Sequence, residues 1–185
     1  MLPVPYAPVE MTDDKFFWLR AGSFIDALDV TFTWADGASE WRFIQFTDGD
    51  SRSRLENCTI EHAKGTSSVP AMVYITGGGA DPGPAITGCN IGNGTASEGI
   101  RIITASPQIL NNTIFGFSTG YGIYVNGSSG SPLVSGNALS GNYHGIGIFS
   151  GASGLYRTNL FQDNSHYGIY NTGTSSSKIT QAENN

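Results

Sequence analysis

Gly99-Ile100-Arg101-Ile102, Gly122-Ile123-Tyr124-Val125, Gly145-Ile146-Gly147-Ile148 and Gly168-Ile169-Tyr170-Asn171 follow one another at intervals of 23 residues. A fixed period of roughly 20–50 residues marks a solenoid, in which each repeat forms one turn. Within each copy the apolar residues alternate, which places them on one face of a strand. Upstream, Ile44-x-Phe46 and Val73-x-Ile75 alternate in the same way.

A second signature follows each of these strands: an apolar residue, two spacers, Asn or Cys, one spacer, and another apolar residue. It reads Leu55-x-x-Cys58-x-Ile60, Ile86-x-x-Cys89-x-Ile91, Ile109-x-x-Asn112-x-Ile114, Val134-x-x-Asn137-x-Leu139 and Tyr156-x-x-Asn159-x-Phe161. A degenerate copy, Ile25-x-x-Leu28-x-Val30, precedes them. Six coils are expected, beginning near Phe17, Phe43, Met72, Gly99, Gly122 and Gly145, with a partial seventh at Gly168. The upstream coils are longer than 23 residues, so their turns carry insertions. No stretch between the strands holds a capped period of 3.6, so strands and turns alone build the coils.

A leucine-rich repeat also ends in Asn/Cys-x-Leu at a similar period, but it needs another apolar residue two positions before the motif. Those positions are Ser53, Pro84, Pro107, Pro132 and Gly154, and that alternative fails at all five.

Composition narrows the partners. Of 185 residues, 25 are glycine and 13% are charged, which fits many turns and little exposed helix. The net charge of −6 argues against nucleic acid, which requires a basic face. Residues 1–98 carry a net −7, whereas residues 99–185 carry +1. The second half therefore presents amides, hydroxyls and aromatic rings, a surface suited to neutral or weakly charged hydroxylated ligands rather than phosphates. No apolar run is long enough for a membrane span, and the sequence as given opens without a signal peptide.

On these repeats the chain resembles the right-handed parallel β-helix of the pectate-lyase-like superfamily, across residues 16–185. The resemblance implies an all-β solenoid whose six to seven coils stack three parallel sheets at about 4.8 Å per coil. Residues 1–15 are expected as an irregular lead-in, with a short helix capped by Thr12 as the alternative to a degenerate first coil. In this superfamily an inward Asn at the turn after the second strand stacks into a ladder, and Asn112, Asn137 and Asn159 match that position. Cys58 and Cys89 occupy the same rung and are expected as buried thiols. Ser177–Asn185 resembles the start of a further coil without a cap. The chain thus reads as a piece of a longer β-helix, able to associate end to end through open coils. Extracellular or cell-surface location follows from the resemblance alone.

Between the two inward residues of each first strand, one residue projects outward: Gln45, Tyr74, Arg101, Tyr124, Gly147 and Tyr170. Stacked coils bring them into one stripe, and tyrosines can pack on sugar faces and bond hydroxyls. Proteins of this superfamily often bind polysaccharide on that sheet. A polysaccharide-binding scaffold without catalysis is the leading expectation, set against a polysaccharide lyase or hydrolase and against a bare spacer. Asp48, Asp50 and Arg101 are the weak catalytic candidates, and Asp48-Gly-Asp50 with Asp81 and Glu56 is a weak Ca²⁺ candidate. His144 and His166, each beside a tyrosine in adjacent coils, could share a proton or a metal.

Overall fold

The computed structural model describes residues 8–36, 38–78, 81–172 and 179–181. Among them, 21 short strands form three parallel sheets of seven strands each, with no helix. The chain visits the three sheets in rotation, so each circuit is one coil of the expected β-solenoid.

The first sheet stacks Phe17–Leu19, Ile44–Thr47, Ala71–Thr76, Glu98–Ile103, Tyr121–Asn126, His144–Phe149 and Tyr167–Asn171. Its inward residues stand in register from coil to coil: Val73, Ile100, Ile123, Ile146 and Ile169 form one column. Ile75, Ile102, Val125 and Ile148 form the next. All of these residues except the half-buried Ile169 are excluded from water. Full burial of such a side chain contributes roughly 1.5–3 kcal/mol, so the columns are the main source of cohesion.

The tight turn between second and third sheets is built on one left-handed residue per coil. Asp29, Asn57, Gly88, Asn111, Gly136 and Thr158 occupy it, with φ between 52° and 70°. Immediately after it comes the ladder. Asn137 Oδ1 accepts from the backbone N–H of Asn112 at 3.0 Å and from its Nδ2 at 2.9 Å. Asn159 Oδ1 accepts the equivalent pair from Asn137. Each Nδ2 also donates to a carbonyl of the coil below: Asn112 to Ile86, Asn137 to Ile109, Asn159 to Val134. Buried turn groups that would otherwise be orphaned are thereby satisfied.

Cys58 and Cys89 are free, buried and on the same rung, as expected. Their thiols donate to the Ala27 and Leu55 carbonyls at 3.6 and 3.4 Å, taking the place of the amide donor.

The N-terminal coil departs from the sequence reading in two ways. Ala27 is in register with Leu55 and Phe32 with Ile60, so the degenerate copy is Ala27-x-x-Val30-x-Phe32, two residues beyond the expected one. The alternation Ile25, Leu28, Val30 fits the consensus spacing, but Leu28 is 49% exposed. Within the expected irregular lead-in, Val9–Met11 is a strand that pairs with Thr31–Trp34. Thr12 accepts from the Lys15 N–H in a turn rather than capping a helix. At the other end, Ile179–Gln181 pairs with Leu155–Arg157, and the rest of the Ser177–Asn185 stretch, like residues 1–7, lies outside the described residues.

Candidate functional site

The outward face of the first sheet carries three registered columns. The central one is the expected stripe, extended by one coil: Trp18, Gln45, Tyr74, Arg101, Tyr124, Gly147 and Tyr170. Beside it run Glu98, Tyr121, His144 and Tyr167. On the other side run Thr47, Thr76, Ile103, Asn126 and Phe149.

The rings of these columns stack on each other. Tyr124 is enclosed on both faces: the Arg101 guanidinium carbon lies 4.1 Å from its centroid, and Phe149 stacks at 4.7 Å with 22° between planes. Its hydroxyl accepts from Asn126 Nδ2 at 3.1 Å. His144 is enclosed likewise, between Tyr121 at 5.1 Å in the coil below and both Tyr170 at 4.7 Å and Tyr167 at 5.4 Å in the coil above. Both faces of the Tyr124 ring are therefore occupied within the protein. Its ring face is used inside the protein, and its edge and hydroxyl remain. Tyr74 has no ring partner among the described residues, and Tyr167 and Tyr143 are 49% and 36% exposed.

Gly147 interrupts the central column because there is no room for a side chain. A Cβ there would stand 2.5 Å from Tyr121 Cδ1 and 2.8 Å from Phe149 Cε2. The two rings close over the glycine from either side.

Arg101 is not free. Its Nε and Nη2 donate to the two Glu98 carboxylate oxygens at 2.6 and 2.5 Å. Glu98 is 3% exposed, and burial pushes its pKa above the ordinary carboxyl value against the opposing pull of Arg101. The His144 imidazole is 4% exposed, and its Nδ1 is enclosed without a partner. Burial, then the charge of His166, holds its pKa below the ordinary imidazole value. An enclosed N–H without an acceptor is rarer than an enclosed lone pair, so the proton of the neutral ring belongs on Nε2.

The histidines are offset by one residue. His144 is in register with Tyr167, while His166 stacks on Tyr143 at 4.7 Å. Their own rings meet edge to face at 5.3 Å. Among the described residues, no three His, Cys, Asp or Glu side chains gather as metal ligands. The acidic turn is dispersed too. Asp48 is exposed, and Asp50 accepts from Arg52 Nε at 3.0 Å and Nη2 at 2.8 Å. That contact holds the Asp50 pKa down to about 2. Glu56 pairs with Arg54 at 3.0 Å. Asp50 and Arg101 are each engaged by a different ionic partner, Arg52 and Glu98.

Sequence reasoning missed the Glu98, Tyr121 and Tyr167 positions, although the residue before each repeat glycine recurs with the same period of 23. It also missed a second ladder at the corner between third and first sheets. There Asn142 Oδ1 accepts from the Phe117 N–H at 3.1 Å, and Asn164 Oδ1 accepts from Asn142 Nδ2 at 3.0 Å.

Three parallel sheets wound from one chain, with stacked amides at a corner, define a parallel β-helix. The chain belongs to the right handed beta helix region family, whose family model matches residues 29–185. Among solved structures the fold is similar to the A-module of the mannuronan C-5 epimerase AlgE4 of Azotobacter vinelandii. The identity is 16% and the TM-score 0.51, over 93% of this chain and 59% of that one. The chain thus spans about three-fifths of that module's length, and the likeness is one of fold. The search of curated proteins gave no match. No helix among the described residues is long and apolar enough to cross a membrane.

Proposed function

We propose that this β-helix is a scaffold of the cell exterior that binds a polysaccharide on the outer face of its first sheet, without acting on it chemically. The observation that carries this reading is the register of Tyr74, Arg101, Tyr124, Gly147 and Tyr170 in one column, flanked by Tyr121, His144 and Tyr167 in the next. Successive coils repeat at about 4.8 Å, so the tyrosines of every second coil recur at about 10 Å along the solenoid axis, a spacing that a linear hydroxylated polymer can follow. Tyr rings combine apolar area with a hydrogen-bonding tip, and ring stacking pre-orders Tyr121, Tyr124, Tyr167 and Tyr170, so little of their side-chain entropy is lost on binding. The structural neighbour is named for an enzyme of mannuronan, a polysaccharide, which is consistent with this class of ligand.

Affinity electrophoresis through gels with embedded polysaccharides tests the proposal. The native protein should be retarded by at least one polymer, and the combined Tyr74→Ala and Tyr170→Ala changes should remove the retardation while the protein stays folded. A native protein that migrates freely through every gel would leave the tyrosine rows with a purely structural role.

A further inference from the structure

We infer that the ligand of this face is an uncharged glycan, free of uronate and sulfate groups. The inference rests on the binding role proposed above and adds the chemical class of the polymer.

Glu98 and Arg101 are the charged side chains in the three registered columns, from Gln45 to Tyr170. They neutralise each other through two hydrogen bonds, with the Glu98 carboxylate buried beneath. The guanidinium is also pinned flat against the Tyr124 ring. Turning Arg101 outward to meet a ligand carboxylate would strand Glu98 as a buried, unpaired charge. That cost exceeds what a solvent-exposed ion pair returns. His144 is held neutral near pH 7 by burial beside His166. The remaining polar groups of the columns, including the phenols, Gln45, Thr47, Thr76 and Asn126, are neutral donors and acceptors. Arg20 lies over the Trp18 ring, beyond the Gln45 end of this span. From Gln45 to Tyr170 an acidic polymer would set a repeated row of anions against columns whose one arginine is already paired, on a chain of net charge −6.

The test compares gels containing neutral polymers (a β-glucan, a xylan, a galactomannan) with gels containing alginate or polygalacturonate. It runs at pH 8, above the ordinary imidazole pKa of about 6.5, at low and high salt. The expected result is at least twofold slower migration in one neutral gel, unchanged by salt, and none in the acidic gels. Retardation by an acidic polymer that salt abolishes would overturn this inference and leave the binding role standing. Free migration through every gel would overturn both. Glu98→Gln should release Arg101 and confer retardation by alginate. If that variant is folded by circular dichroism and still ignores alginate, the charge argument is overturned. If it fails to fold, the salt comparison on the native protein decides alone.

Discussion

Glu98 holds Arg101, three residues further along the same strand, through both carboxylate oxygens. The cation that a stripe of outward residues presents on paper is therefore committed to a buried anion. Its other contact, the Tyr124 ring, is committed in turn to Phe149. A chain of four side chains from three successive coils locks the centre of the face.

This lock has a pH signature. Burial raises the folded-state pKa of Glu98, so the folded protein holds that proton more tightly than the unfolded chain does. The contribution of Glu98 to stability is present below the ordinary carboxyl range and is lost as pH rises through its folded-state value. Glu98→Gln removes the titration. Urea denaturation at pH 4 and pH 7 should show the variant gaining stability relative to the native protein as pH rises. A constant difference would contradict the burial argument.

His144 works in the opposite sense on pH. Its folded-state pKa lies below the ordinary value, so the unfolded chain binds the proton more readily. Stability from His144 is complete above about pH 6.5 and is lost as pH falls. His144→Phe preserves a ring between Tyr121 and Tyr170 without a titrating group. Melting temperatures of the native protein should drop from pH 7 to pH 5 more steeply than those of the variant.

Asn137 lies at the middle of the first ladder, bonded to Asn112 below and Asn159 above. Asn137→Ala strips partners from the Asn112 N–H and the Ile109 carbonyl, and leaves the Asn159 amide oxygen with the Asn137 backbone N–H alone. An unsatisfied buried group costs roughly 1–3 kcal/mol, so we expect a loss of at least about 2 kcal/mol in chemical denaturation. Asn164→Ala, at a half-buried rung of the second ladder, should cost less.

Gly147→Ala places a methyl against Tyr121 and Phe149. The rings must rotate off their stacked positions, which overpacking precedent puts at about 1–3 kcal/mol. The same variant should weaken polymer retardation, because Tyr121 and Phe149 flank Tyr124. Unchanged stability and retardation would mean that the rings yield freely.

The 23-residue period and the apolar–x–x–Asn/Cys motif carried the coil count into view without coordinates, and the family resemblance built on them implied the three sheets and the first amide ladder. Local periodicity suffices there because each coil contacts only its neighbours. Where insertions stretch the upstream coils, spacing no longer sets register. The degenerate copy was consequently displaced by two residues, from Ala27 to Ile25, until the pairing with Leu55 fixed it. The second ladder was overlooked although Asn142 and Asn164 stand three residues after Leu139 and Phe161, because two rungs are too few to read as a repeat; the shared corner identifies them.

For the candidate site, the sequence by itself determined which residues stand in one outward column, because alternation and period dictate that placement. It could not determine what each side chain does there. Whether Arg101 is available, whether the faces of Tyr124 are open and why position 147 holds a glycine depend on neighbours one coil above and below. Glu98, Phe149 and Tyr121 occupy those places, and only the stacked structure brings their atoms within reach.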